Sequence, residues 1–399
     1  MDPITHGIAG ALIGKGFFSQ RHARVAIFAA TLGAVFPDVD ILVVMLSRDP
    51  LALQRYHRAF THSFIGLPIF ALALAWLTRQ FLVWRGRRRG DENPALPSFP
   101  LLFFVYAAGI ASHILLDATT SFGTRFWNPF SRARVAWDYL FIIDFTFTAL
   151  LLLPQVAAWI FRERSGWPAR ASAMWTLFTA LALGVWWLER AAGFAFPFQI
   201  DFIASLIFAA IFFLPARHNR GIRLGRARWC QAGFSCACIY VAFCSFAHDA
   251  AMVRVRGFAS SNRLSVESLA AISLPPSLLD WNGLILTPDG VYQSDFSLRE
   301  VAAPDFRFFA NSPPNRFTRA ASRLEPVRTY LWYARFPVTN FAVIRGENVV
   351  EYVDLRYFTG PGHATPFAFS VFFDSQGRII EPLGRVRWIP QSAPAGGAK

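Results

Sequence analysis

Four short stretches in the first 140 residues bring together side chains that bind metal ions and move protons. In chain order they hold His6; Asp38 and Asp40 within Phe36-Pro37-Asp38-Val39-Asp40; His57 and His62 within His57-Arg58-Ala59-Phe60-Thr61-His62-Ser63; and His113 with Asp117. Asp138 follows Trp137 a little later. Imidazole nitrogen and carboxylate oxygen are ordinary zinc ligands. The i, i+4 spacing of His113 and Asp117 puts both on one face of a helix, close enough to share an ion. A simple histidine–carboxylate pair has the same spacing, so that motif alone decides nothing. Two carboxylates inside an apolar segment are costly unless they face a partner or a cavity. Pro37 breaks the helix there and can aim both acids into a pocket, although a salt bridge or a proton path would use them equally well. The His57–Ser63 heptad adds Arg58, whose planar fork suits bidentate capture of phosphate or another oxyanion; a helix-capping loop of solvated histidines is the bland alternative. Asp138 is a candidate ligand, or the acceptor that fixes a ligand histidine. Asp144 lies deeper in its segment and reads as structural, while His218, His248 and His363 read as incidental.

Apolar elements must position these groups. The 399 residues are 54% hydrophobic and 16% charged, against about 25% charged in a soluble domain. With a mean hydropathy of +0.35, both an ordinary soluble protein and a disordered chain are excluded. Apolar stretches fall at 25–46, 64–84, 101–116, 139–161, 171–188, 202–214 and 229–247, with a shorter one at 4–18 carrying Gly7, Gly10 and Gly14 on roughly one face. A spanning helix needs about 20 such residues, which predicts a mainly α, polytopic helical bundle of seven or eight membrane segments. The net charge of +14 rests on 39 basic residues, of which only Lys15 and Lys399 are lysines. Fifteen fall in one set of alternating loops and seven in the other. That bias fits topology control better than nucleic-acid binding, and no nucleic-acid partner is expected. It places the richer set in the cytoplasm and the metal-capable groups near the outer face of a multi-pass protein.

After residue 250 the pattern changes. Ser260 to Ser277 reads as a linker, and short aromatic and β-branched runs follow at 284–286, 329–336, 341–345, 349–358 and 367–373. Val353, Leu355 and Tyr357 alternate with polar residues at strand period, and Asp289-Gly290 and Asp374–Gly377 are turn signals. The expected domains are therefore a helical, metal-binding 1–160, further membrane helices over 161–250, a β-rich domain outside the membrane over 251–391, and a disordered tail at 392–399. The four cysteines, Cys230, Cys236, Cys238 and Cys244, share one apolar run and read as packing residues rather than a disulfide framework. The N-terminus lacks the basic start and cleavage site of a removable signal peptide.

The motifs Met1–His6, Phe36–Asp40, His57–Ser63 and His113–Asp117, with Gly123 and Pro129-Phe130, resemble the YdjM family of inner-membrane, metal-dependent hydrolases over roughly residues 1–160. That family is grouped with zinc-dependent phospholipases C and P1-type nucleases. The resemblance implies a helical fold whose zinc ions activate water against a phosphodiester, with His6, Asp38, His57, His62, His113 and Asp117 as ligands and Asp40 as ligand or general base. The later histidine–glutamate pair of the soluble enzymes has no counterpart here, where Asp138 stands in, and Met1 takes the place of a processed N-terminal amine.

The leading expectation is thus a membrane-embedded hydrolase that holds a divalent metal, zinc by its donor set. Arg58 holds the anion, and the substrate is a phosphodiester or related ester, such as a membrane lipid. An ion- or proton-coupled transporter using the same Asp/His cluster is the first alternative, and a non-enzymatic envelope partner the second.

Overall fold

The computed structural model describes residues 1–18, 22–90, 96–191, 198–275, 277–357 and 367–380. His363 and the tail at 392–399 lie outside the described residues, as does the side chain of His218. In chain order the helices are α1 (Pro3–Phe17), α2 (Ala23–Val35), α3 (Ile41–Leu46), α4 (Ala52–Tyr56), α5 (Gly66–Arg88), α6 (Phe99–Ala118), α7 (Phe145–Ile160), α8 (Trp167–Ala191), α9 (Phe198–Phe213), α10 (Arg220–Ser261), α11 (Arg316–Ser322) and α12 (Glu325–Tyr333). The strands are β1 (Ser268–Leu274), β2 (Asp280–Thr287), β3 (Gly290–Ser297), β4 (Arg307–Ala310), β5 (Pro337–Ile344), β6 (Glu347–Asp354), β7 (Phe369–Phe373) and β8 (Ile379–Ile380).

The protein is mostly helical with a C-terminal sheet region, as its composition implied. Among the described residues four stretches are long and apolar enough to cross a membrane: Ala23–Leu46, Gly66–Arg88, Phe99–Ala118 and Arg223–Ser261. Two more apolar helices, Phe145–Ile160 and Phe202–Ala216, are shorter. The 15 residues of α1 rise only about 22 Å, less than the roughly 30 Å hydrocarbon layer.

The chain packs as two compact units. One takes Met1–Pro37, Phe64–Leu116 and Phe145–Tyr240; the other takes Asp38–Ser63, Asp117–Asp144 and everything from Val241. Contiguous blocks had been expected. Instead, two polar segments of the first block, 38–63 and 117–144, group with the C-terminal region, because their charged side chains find partners there.

In the first unit, α1 starts on a side-chain cap. Asp2 accepts from the Thr5 N–H at 2.9 Å and its hydroxyl at 2.6 Å, with Pro3 in the first turn where no donor is lost. Glycine then permits close approach: a Cβ on Gly10 of α1 would meet the Ala30 carbonyl of α2 at 2.5 Å, and one on Gly109 of α6 would meet the same oxygen at 2.5 Å. α1 and α6 thus both lie against α2, and His6 stacks on His113 with ring centroids 3.7 Å apart.

The second unit holds two antiparallel four-stranded sheets, ordered β1-β2-β3-β4 and β5-β6-β7-β8. Ala270, Ile272, Leu284 and Val291 from one sheet share a core with Phe336, Val338 and Val353 from the other. The end of α10 covers the first sheet through Met252, Val255 and Ala259 against Trp281 and Phe296. The Asp289-Gly290 signal closes the β2–β3 hairpin, with Thr287 paired to Gly290. Asp374 likewise caps its turn by accepting from Gln376 and Arg378. Three local expectations change. Residues 329–336, read as strand, lie largely in α12, whose Val327, Tyr330 and Tyr333 turn inward at helical spacing. The stretch from Ser268, read as linker, is β1. β6 stops at Asp354, and Leu355–Tyr357 is a 3-10 turn, because Asp354 accepts backbone N–H groups from Arg335, Phe336 and Arg356. All four cysteines are free.

Candidate metal centre

α2 ends at Val35, and Phe36–Asp40 forms a 3-10 turn before α3, as Pro37 requires. α4 ends at Tyr56, so the heptad that follows is not α-helical; Phe60–His62 makes a single 3-10 turn. The heptad wraps around one carboxylate. Asp40 Oδ1 accepts from His57 Nδ1 at 2.8 Å, and Asp40 Oδ2 accepts from the Arg58 N–H at 2.9 Å and the Thr61 hydroxyl at 3.1 Å. His62 Nδ1 lies 2.9 Å from Thr61 Oγ1 and 3.2 Å from Asp40 Oδ2. Arg58 takes a left-handed conformation, φ 56°, which costs a non-glycine residue about 1 kcal/mol or more and persists only where its surroundings impose it.

Asp40 therefore engages both imidazoles at Nδ1. This is the arrangement in which a carboxylate behind a histidine fixes its tautomer and raises its basicity toward a metal. The opposite edge of His62 meets two more acids: Nε2 is 3.4 Å from Asp38 Oδ1 and 3.3 Å from Asp117 Oδ2. Ligands placed tetrahedrally at zinc's usual bond lengths lie roughly 3.3 Å apart, so this donor set fits a divalent cation in chemistry and in spacing. His113 sits one turn before Asp117 on α6, and its Nδ1 donates to the Ala34 carbonyl at 2.6 Å. Burial alone would lower the His62 pKa, but Asp117, Asp38 and Asp40 around it more than reverse this and push it up to about 10. Carboxylates crowded on one buried imidazole call for positive charge.

The site residues expected from sequence are thus distributed as follows. Asp38, His62 and Asp117 converge, and Asp40, His57 and His62 form an adjoining group. His6 stacks on His113 and belongs to neither group. Asp138 does not join them: its carboxylate is 3% exposed and makes a two-pronged pair with Arg335 at 2.9 and 2.9 Å. Arg58 is not the open anion hook expected. It is 2% exposed, because a buried guanidinium must be paired. Its Nε lies 2.9 Å from Asp117 Oδ2, its Nη1 donates to Thr120 at 3.0 Å, and it stacks over Phe122. It orients Asp117.

Sequence reading missed the braces of the two loop segments. Leu51 is buried in a core with Phe317, Val327 and Val350. Arg55 pairs with Asp49 and Glu325, and Arg356 reaches the Ser121 carbonyl at 2.7 Å while paired to the buried Asp354. The adjacent Asp354-Leu355-Arg356, taken for strand alternation, was the one available signal.

Fold and site define a helical membrane protein with an Asp/His cluster able to hold a metal ion. Over residues 1–193, just under half of its length, the chain matches the family described as YdjM inner membrane protein, and the region that carries the motifs is similar to that family. No curated protein and no solved structure matches the chain.

Proposed function

We propose that the protein is a membrane-embedded, metal-dependent hydrolase acting on a phosphodiester or related ester. The observation that carries this is the His62 imidazole, with two carboxylate oxygens 3.3 and 3.4 Å from Nε2 and Asp40 behind Nδ1. Asp38, His62 and Asp117 would hold a divalent ion. Mixed imidazole and carboxylate donors suit zinc. Such an ion supplies Lewis acidity toward a substrate oxygen and lowers the pKa of water.

The chain's own residues do the rest. Asp40 fixes the tautomer of both histidines. His57, half-buried where His62 is fully buried, is the imidazole placed to give or take a proton at Nε2, with Asp40 holding its far side as an acid orients a catalytic histidine. Arg58 pairs with Asp117 at 2.9 Å and holds it in place. The charge bias of the loops supports a multi-pass topology with the C-terminal sheets outside the cytoplasm.

The test is metal content of detergent-purified protein by elemental mass spectrometry, alongside hydrolysis of bis(p-nitrophenyl) phosphate. The expected result is about one or more equivalents of metal, lost with activity in His62→Ala and retained in Asp138→Ala. Protein purified with added zinc and without chelators that carries no metal overturns the hydrolase and leaves ion translocation as the use of the cluster.

A further inference from the structure

The loop after α6 and the helix α12 form a groove whose charge is unbalanced in the opposite sense. A cavity of about 650 Å³ is lined by four arginines, Arg55, Arg125, Arg132 and Arg328, by Trp332 and by one acid, Glu325, which pairs with Arg55. A second, of about 330 Å³, shares Arg132 and Trp332 and adds Arg134, Arg335 and Arg356. Three of these guanidinium groups have acids of their own: Arg55 with Asp49 and Glu325, Arg335 with Asp138, and Arg356 with Asp354. Among the described residues no carboxylate pairs with Arg125, Arg132, Arg134 or Arg328.

What holds the inner two is neutral. Arg125 donates to the carbonyls of Arg58 and Arg55, and Arg134 donates to that of Gln54 at 2.8 Å. Their guanidinium planes sit near aromatic faces, Arg125 over Trp332 at 5.6 Å and Arg134 over Trp332 and Tyr333 at 5.4 and 5.1 Å. Burial and neighbouring arginines depress both, Arg125 to about 10 and Arg134 to about 9. Arg125 and Arg134, largely enclosed and with no ion-paired acid among the described residues, favour an anion beside them.

We propose that this groove binds a phosphoryl anion, the charged head of a phosphate ester. Several arginine forks converging from two elements match an anion with three or four oxygens better than a single carboxylate. A volume of about 650 Å³ exceeds what orthophosphate fills and suits an ester of it. Trp127 and Phe130, on the same loop as Arg125 and Arg132, are 58% and 86% exposed, the kind of aromatic flank that sits at a lipid–water boundary. The site supplies the recognition that the buried Arg58 does not. It names the substrate class of the proposed hydrolase and rests on that reading for its purpose, but not for its binding.

The test uses the full-length protein in neutral detergent, with radiolabelled orthophosphate in equilibrium dialysis and dihexanoyl phosphatidic acid in titration calorimetry. Arg132→Gln/Arg328→Gln changes two exposed side chains and should weaken binding at least tenfold with metal content unchanged. His62→Ala should bind as tightly as the parent, which separates this site from the metal centre. Binding of phosphatidic acid but not orthophosphate assigns an amphiphile as the source; equal binding of both assigns a soluble phosphate. No binding of either probe, or binding unchanged in the double variant, overturns the proposal.

Discussion

Two regions of the second unit solve the problem of buried charge in opposite ways. Around His62, the carboxylates of Asp38, Asp40 and Asp117 crowd one imidazole, and the surplus is negative. Beside Trp332, Arg125, Arg132 and Arg134 gather without an acid, and the surplus is positive. Between these extremes lie Asp138–Arg335 and Asp354–Arg356, where each charge has its partner. A balanced buried pair is complete in itself and braces structure. An unbalanced cluster persists because something of opposite charge completes it, and in this protein the two unbalanced clusters are the two candidate ligand sites.

The comparison breaks if a balanced pair proves dispensable. Asp354 is 0% exposed and Arg356 is 7% exposed, so Asp354→Ala leaves a buried guanidinium alone. It should cost about 3–5 kcal/mol, seen as a lower denaturation midpoint, while whatever protein remains folded keeps its metal.

A third outcome for buried charge sharpens the contrast. Glu351 on β6 is 5% exposed, and burial pushes its pKa up to about 7 from an ordinary 4.5. Among the described residues no cation pairs with it, Asn340 is its hydrogen-bonding partner, and burial favours its protonated form. Because the folded pKa is the higher one, stability is fullest below about pH 4.5 and is lost as pH rises through about 7. Glu351→Gln should abolish that decline, worth roughly 3 kcal/mol at most, when denaturation midpoints at pH 5 and pH 8 are compared.

The smallest effect concerns the carboxylate behind the imidazoles. If Asp40 positions rather than coordinates, Asp40→Asn should weaken metal affinity by about 10- to 100-fold without abolishing binding, measured by competition with a zinc-chelating dye. Complete loss, equal to that of His62→Ala, would make Asp40 a ligand and blur the boundary between the two histidine groups.

Much of the helical half was legible because its signals are local. A run of apolar residues names a membrane helix, Pro37 names a helix break, and the i, i+4 spacing of His113 and Asp117 holds on any helix. The Asp/His groups were legible as types. Their roles were not, since Asp40 and Asp38 are two residues apart in sequence, yet one lies behind His62 Nδ1 and the other faces Nε2. The errors share one cause. Arg58 and Asp138 were taken for free chemistry because their partners, Asp117 and Arg335, stand 59 and 197 residues away. The arginines at 125, 132 and 134 read as topology signals along the sequence, and only the fold shows that they line adjoining cavities. Residues 329–336 were read as strand because aromatic and β-branched composition favours strand, whereas the inward spacing of Val327, Tyr330 and Tyr333 is helical.

The sequence by itself determined that the chain enters a membrane, where its helices break, and which residues can bind a metal. Hydrophobicity, proline and side-chain chemistry act within a few residues and need no fold. Only the tertiary structure decided which charges are paired within the protein and which gather with others of the same sign. The segments 38–63 and 117–144 are held against the C-terminal sheets by Leu51, by Arg356 at the Ser121 carbonyl and by Arg335 at Asp138. Charge balance is a property of neighbours in space, and those neighbours come from parts of the chain up to about three hundred residues apart.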